Sequence, residues 1–198
     1  SAYWDGTREQ SMHVASTQAS FESQWLNMWP EHATTQLHWL PLDDWNATRD
    51  PGLVIPTSPQ VAVVEDQRHS AGGTVAFAWP DGDSVCVAAF LTDSMSEAWE
   101  RAADAGRVLC GVTLAREPAA RALAATQVGG REVPRGLQTL KQLAGERRLR
   151  WHGDALDKQL RNVQVVDMQP SRRQPSNLVR AAGWAVAEVR DHAEPLMI

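Results

Sequence analysis

The run Val61-Ala62-Val63-Val64-Glu65-Asp66 joins four apolar, mostly β-branched residues to two adjacent acids. A strand of this kind can hold a carboxylate rigidly at the rim of a buried sheet. The next thirty residues extend the pattern. Gly72-Gly73 leads into Thr74-Val75-Ala76-Phe77-Ala78-Trp79, Asp81-Gly82 marks a turn, and Ser84-Val85-Cys86-Val87-Ala88-Ala89-Phe90 is a third apolar run. Short apolar runs separated by Gly and Asp-Gly read as an antiparallel meander. Successive strand residues point to opposite faces, so only one of Glu65 and Asp66 can look into a site on a given face. A solvent-facing acid pair at a strand end fits the same spacing.

Working outward, the 198 residues suffice for one well-buried core, and a charged content of 22% is that of an ordinary globular protein. No apolar run approaches the length of a membrane-spanning helix, and the stretch Ser1-Ala2-Tyr3-Trp4-Asp5 lacks the regions of a signal peptide. Cys86 and Cys110 sit inside apolar runs and read as buried thiols in a reducing compartment. No Cys/His cluster has zinc spacing.

Charge is divided along the chain. Residues 1–106 carry 4 Lys/Arg against 15 Asp/Glu, a net of −11, whereas residues 107–198 carry 15 against 9, a net of +6. Arg131, Arg135, Lys141, Arg147, Arg148, Arg150, Lys158, Arg161, Arg172, Arg173 and Arg180 could together track a polyanion. Any one of them could equally decorate a helix surface.

Residues 1–29 have helical spacing of Phe21, Trp25, Met28 and Trp29, ending at Pro30. Residues 30–60 read as an extended connector packed on the domain by Trp39 and Trp45. After the meander, Ser94-Met95-Ser96-Glu97 is a capping box for a helix stopping near Gly106. Val108 to Leu114 reads as a continuously apolar, central fourth strand. Pro118 opens a second helix through Ala125, and Val128 and Val133 fall in a fifth strand or a loop. A helix over 136–149, a short extended Arg150-Trp151-His152, and a helix capped by Asp154 come next. Val163 to Met168 reads as an edge strand, and Ser176 caps the last helix, with Leu178, Val179, Ala182, Ala185, Val186 and Val189 as its apolar stripe.

Several strings, in this order, resemble the C-terminal nuclease domain of the large terminase subunit of tailed bacteriophages. They are Tyr3-Trp4-Asp5, Phe21 to Pro30, Trp39-Leu40-Pro41-Leu42, Val63-Val64-Glu65-Asp66, His152-Gly153-Asp154 and Leu178 to Ala185. The resemblance implies a ribonuclease H-like α/β fold: a mixed sheet, with an antiparallel three-strand meander plus further strands, flanked by helices. It implies a helical lead-in and Trp-rich linker over 1–58, and a nuclease domain over 59–198. No Gly-rich loop ending in Gly-Lys-Ser/Thr occurs, so the ATPase half is expected elsewhere.

The chemistry implied is two-metal hydrolysis of DNA phosphodiesters with two Mg²⁺ or Mn²⁺ ions, which prefer oxygen ligands gathered from several elements. The family takes its acids from the first strand, the end of the fourth and the start of the last helix. Asp66 is the expected first ligand, with Glu65 in reserve. Glu117 is the nearest acid to the fourth strand, although a charge favouring a helix N-terminus explains it as well. Asn177 stands where the last acid is expected, and it offers an oxygen without a charge. Asp154 and Asp167 could substitute from neighbouring elements. Arg131, Arg135, Lys141, Arg148, Lys158, Arg172 and Arg173 are the expected DNA contacts.

The partners implied are double-stranded DNA, an ATPase domain, the small terminase subunit and the portal, in the cytoplasm of an infected bacterium and without a membrane. Two other readings stay open. One is a catalytically weak or inactive ribonuclease H-like module that binds DNA or a partner. The other is a nuclease of the resolvase or transposase type.

Overall fold

The meander forms as the sequence predicts. In the computed structural model, which describes residues 39–67, 71–171 and 175–193, β1 spans Val61–Asp66, β2 Gly73–Asp81 and β3 Ser84–Thr92. β1 pairs antiparallel with β2 (Val63 opposite Ala76), and β2 with β3. The β2–β3 turn puts Gly82 at φ 58°, a conformation glycine adopts without steric cost.

Three strands extend this ribbon in parallel. β4 (Arg107–Gly111) pairs with β1, β5 (Thr126–Val128) with β4, and β6 (Leu149–His152) with β3. The sheet order is β5-β4-β1-β2-β3-β6. β4 is interior, as its unbroken apolar run predicts, but it stops at Gly111, and Val112 is exposed. The result is the expected α/β architecture, a mixed sheet with helices on both faces.

Strand alternation sorts the core into two layers. Val61, Val63, Ala76, Ala78, Val87 and Ala89 share one cluster with the long helix α6 (Asn177–Ala193), with α4 (Val133–Gly145) and with α5 (Asp154–Asn162). Ala62, Val64, Val75 and Phe77 share the other with α2 (Met95–Ala102) and α3 (Pro118–Ala122). Ser94 caps α2, its side chain accepting from the Glu97 amide at 3.2 Å. Glu97 reaches back to the Asp93 amide, one residue before the expected partner. α6 and α4 meet at Gly183 and Gly136, where a Cβ on Gly136 would lie 2.8 Å from the Gly183 carbonyl carbon.

Residues 39–60 are more structured than an extended connector. Leu42–Ala47 form a short helix, α1, because Trp45 anchors it. The Trp45 ring stacks on Trp151 with centroids 4.1 Å apart, and its Nε1 donates to Asp157 Oδ1 at 2.9 Å. Trp151 Nε1 donates back to the Trp45 carbonyl at 2.8 Å. Trp39 and Leu40 are buried in the same core. The helical reading of 1–29 lies outside the described residues.

Three local expectations change. Val165–Val166 (β7) does not edge the main sheet. It pairs with Gln169–Pro170 (β8) in a separate hairpin, because Asp167 and Met168 both take positive φ and close a tight turn. The helix expected over 136–149 runs from Val133 to Gly145. Asp154 is the first residue of α5 and not its cap, a position held by Gly153 at φ 129°. No helix among the described residues is long and apolar enough to cross a membrane.

Candidate functional site

A cleft of about 620 Å³ opens at the end of the sheet where β1 finishes and β2 begins. Glu65 and Asp66 of β1, Leu91 of β3, Val112 and Thr113 after β4, Gln159 of α5, and Asn177 and Arg180 of α6 all line it. The carboxyl ends of parallel strands are where open α/β sheets bind ligands, so the location is the expected one.

Asp66, the expected first ligand, and Glu65, held in reserve, both line the cleft, from opposite faces of β1. Glu65 lies on the α6 face, in step with Val61 and Val63, and is 3% exposed. Asp66 is half-buried in the cleft lining. The physical reason is strand alternation: the face that α6 covers takes the odd-numbered residues of β1. Gly111 on β4 lies beside the Glu65 side chain, and a Cβ there would only touch it, 3.4 Å from Glu65 Cγ.

Glu65 is fully engaged. Arg180 Nη2 donates to Oε1, and Arg180 Nε donates to Oε2 at 3.3 Å, a two-point carboxylate–guanidinium pair. Arg180 stands 5.7 Å from the Trp184 ring centroid, within cation–π range. Burial holds the Arg180 guanidinium below its ordinary pKa.

Beside this pair runs an uncharged network. Asn177 Nδ2 donates to the hydroxyl of Thr74, a buried residue opposite Glu65 on β2. Gln159 Nε2 donates to Asn177 Oδ1 at 3.0 Å, while Gln159 Oε1 accepts from the Val179 amide at 3.1 Å. Both atoms of the Asn177 amide are therefore used within the protein.

Glu117 does not join the site. It precedes α3 on the opposite face and accepts from Trp99 Nε1 at 2.9 Å, so its partner is an indole. Asp154 is exposed and pairs with Arg49 at 2.7 Å, and exposed Asp167 sits in the β7–β8 turn. Neither supplies a missing acid.

The expected DNA contacts also separate. Exposed Arg131 follows Gly130 of the cleft lining, and exposed Lys158 precedes Gln159 on α5. Arg135 instead pairs with Asp191, near the far end of α6. Arg148 donates to the Asp83 carbonyl at 2.8 Å, at the β2–β3 turn and so at the other end of the sheet. Lys141 is half-buried on α4, away from the cleft lining. Arg172 and Arg173 lie outside the described residues.

Sequence reasoning missed Thr74, Gln159 and the pairing of Arg180. The last had a readable signal: residues 177, 180 and 184 recur at three and four on one helix face, which brings Asn177, Arg180 and Trp184 together.

The residues present do not fit a pair of divalent ions. Such ions need several ionised carboxylates free to turn their oxygens inward. Here Glu65 is committed to a guanidinium, Asn177 carries no charge, and Glu117 faces elsewhere, which leaves Asp66 alone among the expected ligands. Among the described residues no three His, Cys, Asp or Glu side chains are grouped so as to hold a metal.

The fold defines a class, the ribonuclease H-like mixed sheet flanked by helices. Solved structures similar to it include large terminases. The large terminase of a thermophilic bacteriophage superposes with a TM-score of 0.60 at 9% identity, covering 77% of this chain and 45% of that one. The large terminase of bacteriophage HK97 gives 0.56 at 11% identity, covering 76% and 43%. The chain thus spans less than half the length of these proteins, and the likeness is one of fold. No protein-family profile and no curated protein matches the sequence.

Proposed function

We propose that this chain is the ribonuclease H-like part of a phage DNA-packaging terminase, and that its cleft holds duplex DNA. The observation that carries the reading is the cleft itself. It sits at the strand ends of a terminase-like fold, lined by Glu65, Asp66 and Asn177, and the exposed Arg131 and Lys158 are next in sequence to its lining residues Gly130 and Gln159. The basic balance of residues 107–198 supports a polyanionic partner.

The test is duplex binding by fluorescence anisotropy across a salt series. Charge reversal at both Arg131 and Lys158 should weaken binding by about tenfold or more and flatten the salt dependence. Unchanged affinity in that variant would remove the cleft as the DNA site.

A second reading, metal-dependent cleavage, would need Arg180 to release Glu65 so that it could act with Asp66 and Asn177, which line the same cleft. Nicking of supercoiled plasmid in Mn²⁺ by the wild type, lost in Asp66→Ala, would establish it. The packaging ATPase, the small subunit and the portal would be partners of the whole terminase under either reading.

A further inference from the structure

We infer that Arg180 is the resident cation of this cleft, its guanidinium standing in for the divalent metal that the fold would otherwise place against the β1 carboxylate. Charge balance at one point carries this, whether or not the cleft holds DNA.

Three features of the site lead to it. First, a buried carboxylate demands a positive partner, and Glu65 has only 4% of its side chain exposed. Arg180 meets that demand with two donors, one to each oxygen. Second, Arg180 belongs to the same helical turn as Asn177, the position expected to carry the last acid. One turn of α6 therefore provides a cation and an amide where metal chemistry would need a carboxylate. Third, the neighbours are fitted to a neutral site. Thr74 and Gln159 satisfy the Asn177 amide from both sides, one accepting from its nitrogen and the other donating to its oxygen. An aspartate at 177 could accept from Gln159 but would have to reverse the Thr74 bond, accepting from the hydroxyl where the asparagine donates to it.

Electrostatics then works against a divalent ion. Its nearest buried carboxylate is already neutralised, and it would meet a fixed positive charge in a partly desolvated place, where like charges repel strongly. An arginine cannot step aside by losing its proton, because its pKa stays far above neutrality even when burial lowers it. The pair is also held sideways by Trp184.

The experiment is a Mn²⁺ titration followed by electron paramagnetic resonance, with the free-ion signal reporting binding. The wild-type protein is expected to leave that signal no lower than a buffer control does, and its Tm is expected not to rise with Mn²⁺. The variant Arg180→Gln/Asn177→Asp restores an uncommitted Glu65 and an acid on α6. It should quench the signal and gain a Mn²⁺-dependent rise in Tm. Stoichiometric binding of Mn²⁺ by the wild type, abolished by Glu65→Gln, would overturn the inference. The wild-type arm decides the matter even if the double variant does not fold, and DNA is absent throughout, so failure of the DNA reading shows separately.

Discussion

Arg180 on α6 and Glu65 on β1, 115 residues apart in sequence, form a two-point ion pair at the junction of the long helix and the sheet. A paired buried charge is costly to break from one side, because the remaining partner is left without a counter-charge. Arg180→Ala should therefore destabilise the domain by about 3–5 kcal/mol. Replacing both residues by methionine, which keeps the volume and removes both charges, should recover most of that loss. Urea denaturation of the two variants, compared through their midpoints at constant slope, checks the prediction.

Gly183 lies in the middle of α6, where an alanine would ordinarily improve helix stability by about 1 kcal/mol. Here the sign should invert. A Cβ on Gly183 would stand 3.0 Å from the Gly136 carbonyl carbon on α4, so the two helices must separate. Overpacking of this kind costs about 1–3 kcal/mol. Thermal melts of Gly183→Ala should show a lower Tm than the wild type.

Cys86 is buried in β3, and that burial pushes its thiol up to about 11. The thiol thus stays protonated in mildly alkaline buffer, and a disulfide exchange reagent should label it only as fast as the fold opens. Unfolded chains ionise this thiol at its ordinary value while the folded protein does not. Stability therefore falls as pH rises from the ordinary thiol value toward about 11. Chemical denaturation across that range should show a shallower decline for Cys86→Ala.

Much of the fold could be read because its signals were local. The apolar run in 61–66, the glycine at 82 and the serine at 94 each impose structure within a few residues. The site was less legible because its residues are joined only in three dimensions. Nothing near Arg180 in the sequence announces Glu65, and the opposite-face placement of Glu65 and Asp66 is visible while the choice of face is not. That choice belongs to α6, which packs against the odd-numbered side of β1. Glu117 misled for the same reason: proximity to β4 in sequence put it near the site, whereas α3 lies on the other face and gives it to Trp99.

The reach of α6 bears on how the chain acquires its structure during synthesis. The β1–β3 ribbon can pair as soon as it leaves the ribosome, since its turns are short. Its α6 face cannot be fully covered until residues 177–193 emerge, because that single helix lies over β1, β2 and β3 together. Until then Val61, Val63, Ala76, Ala78, Val87 and Ala89 have only the earlier helices of their cluster, α4 and α5, to shield them. Contacts spanning so much sequence close slowly, and exposed apolar sheets associate with one another in the interval. A nascent chain stalled before Asn177 should consequently be the species that chaperones hold, and release of α6 the event that ends their hold.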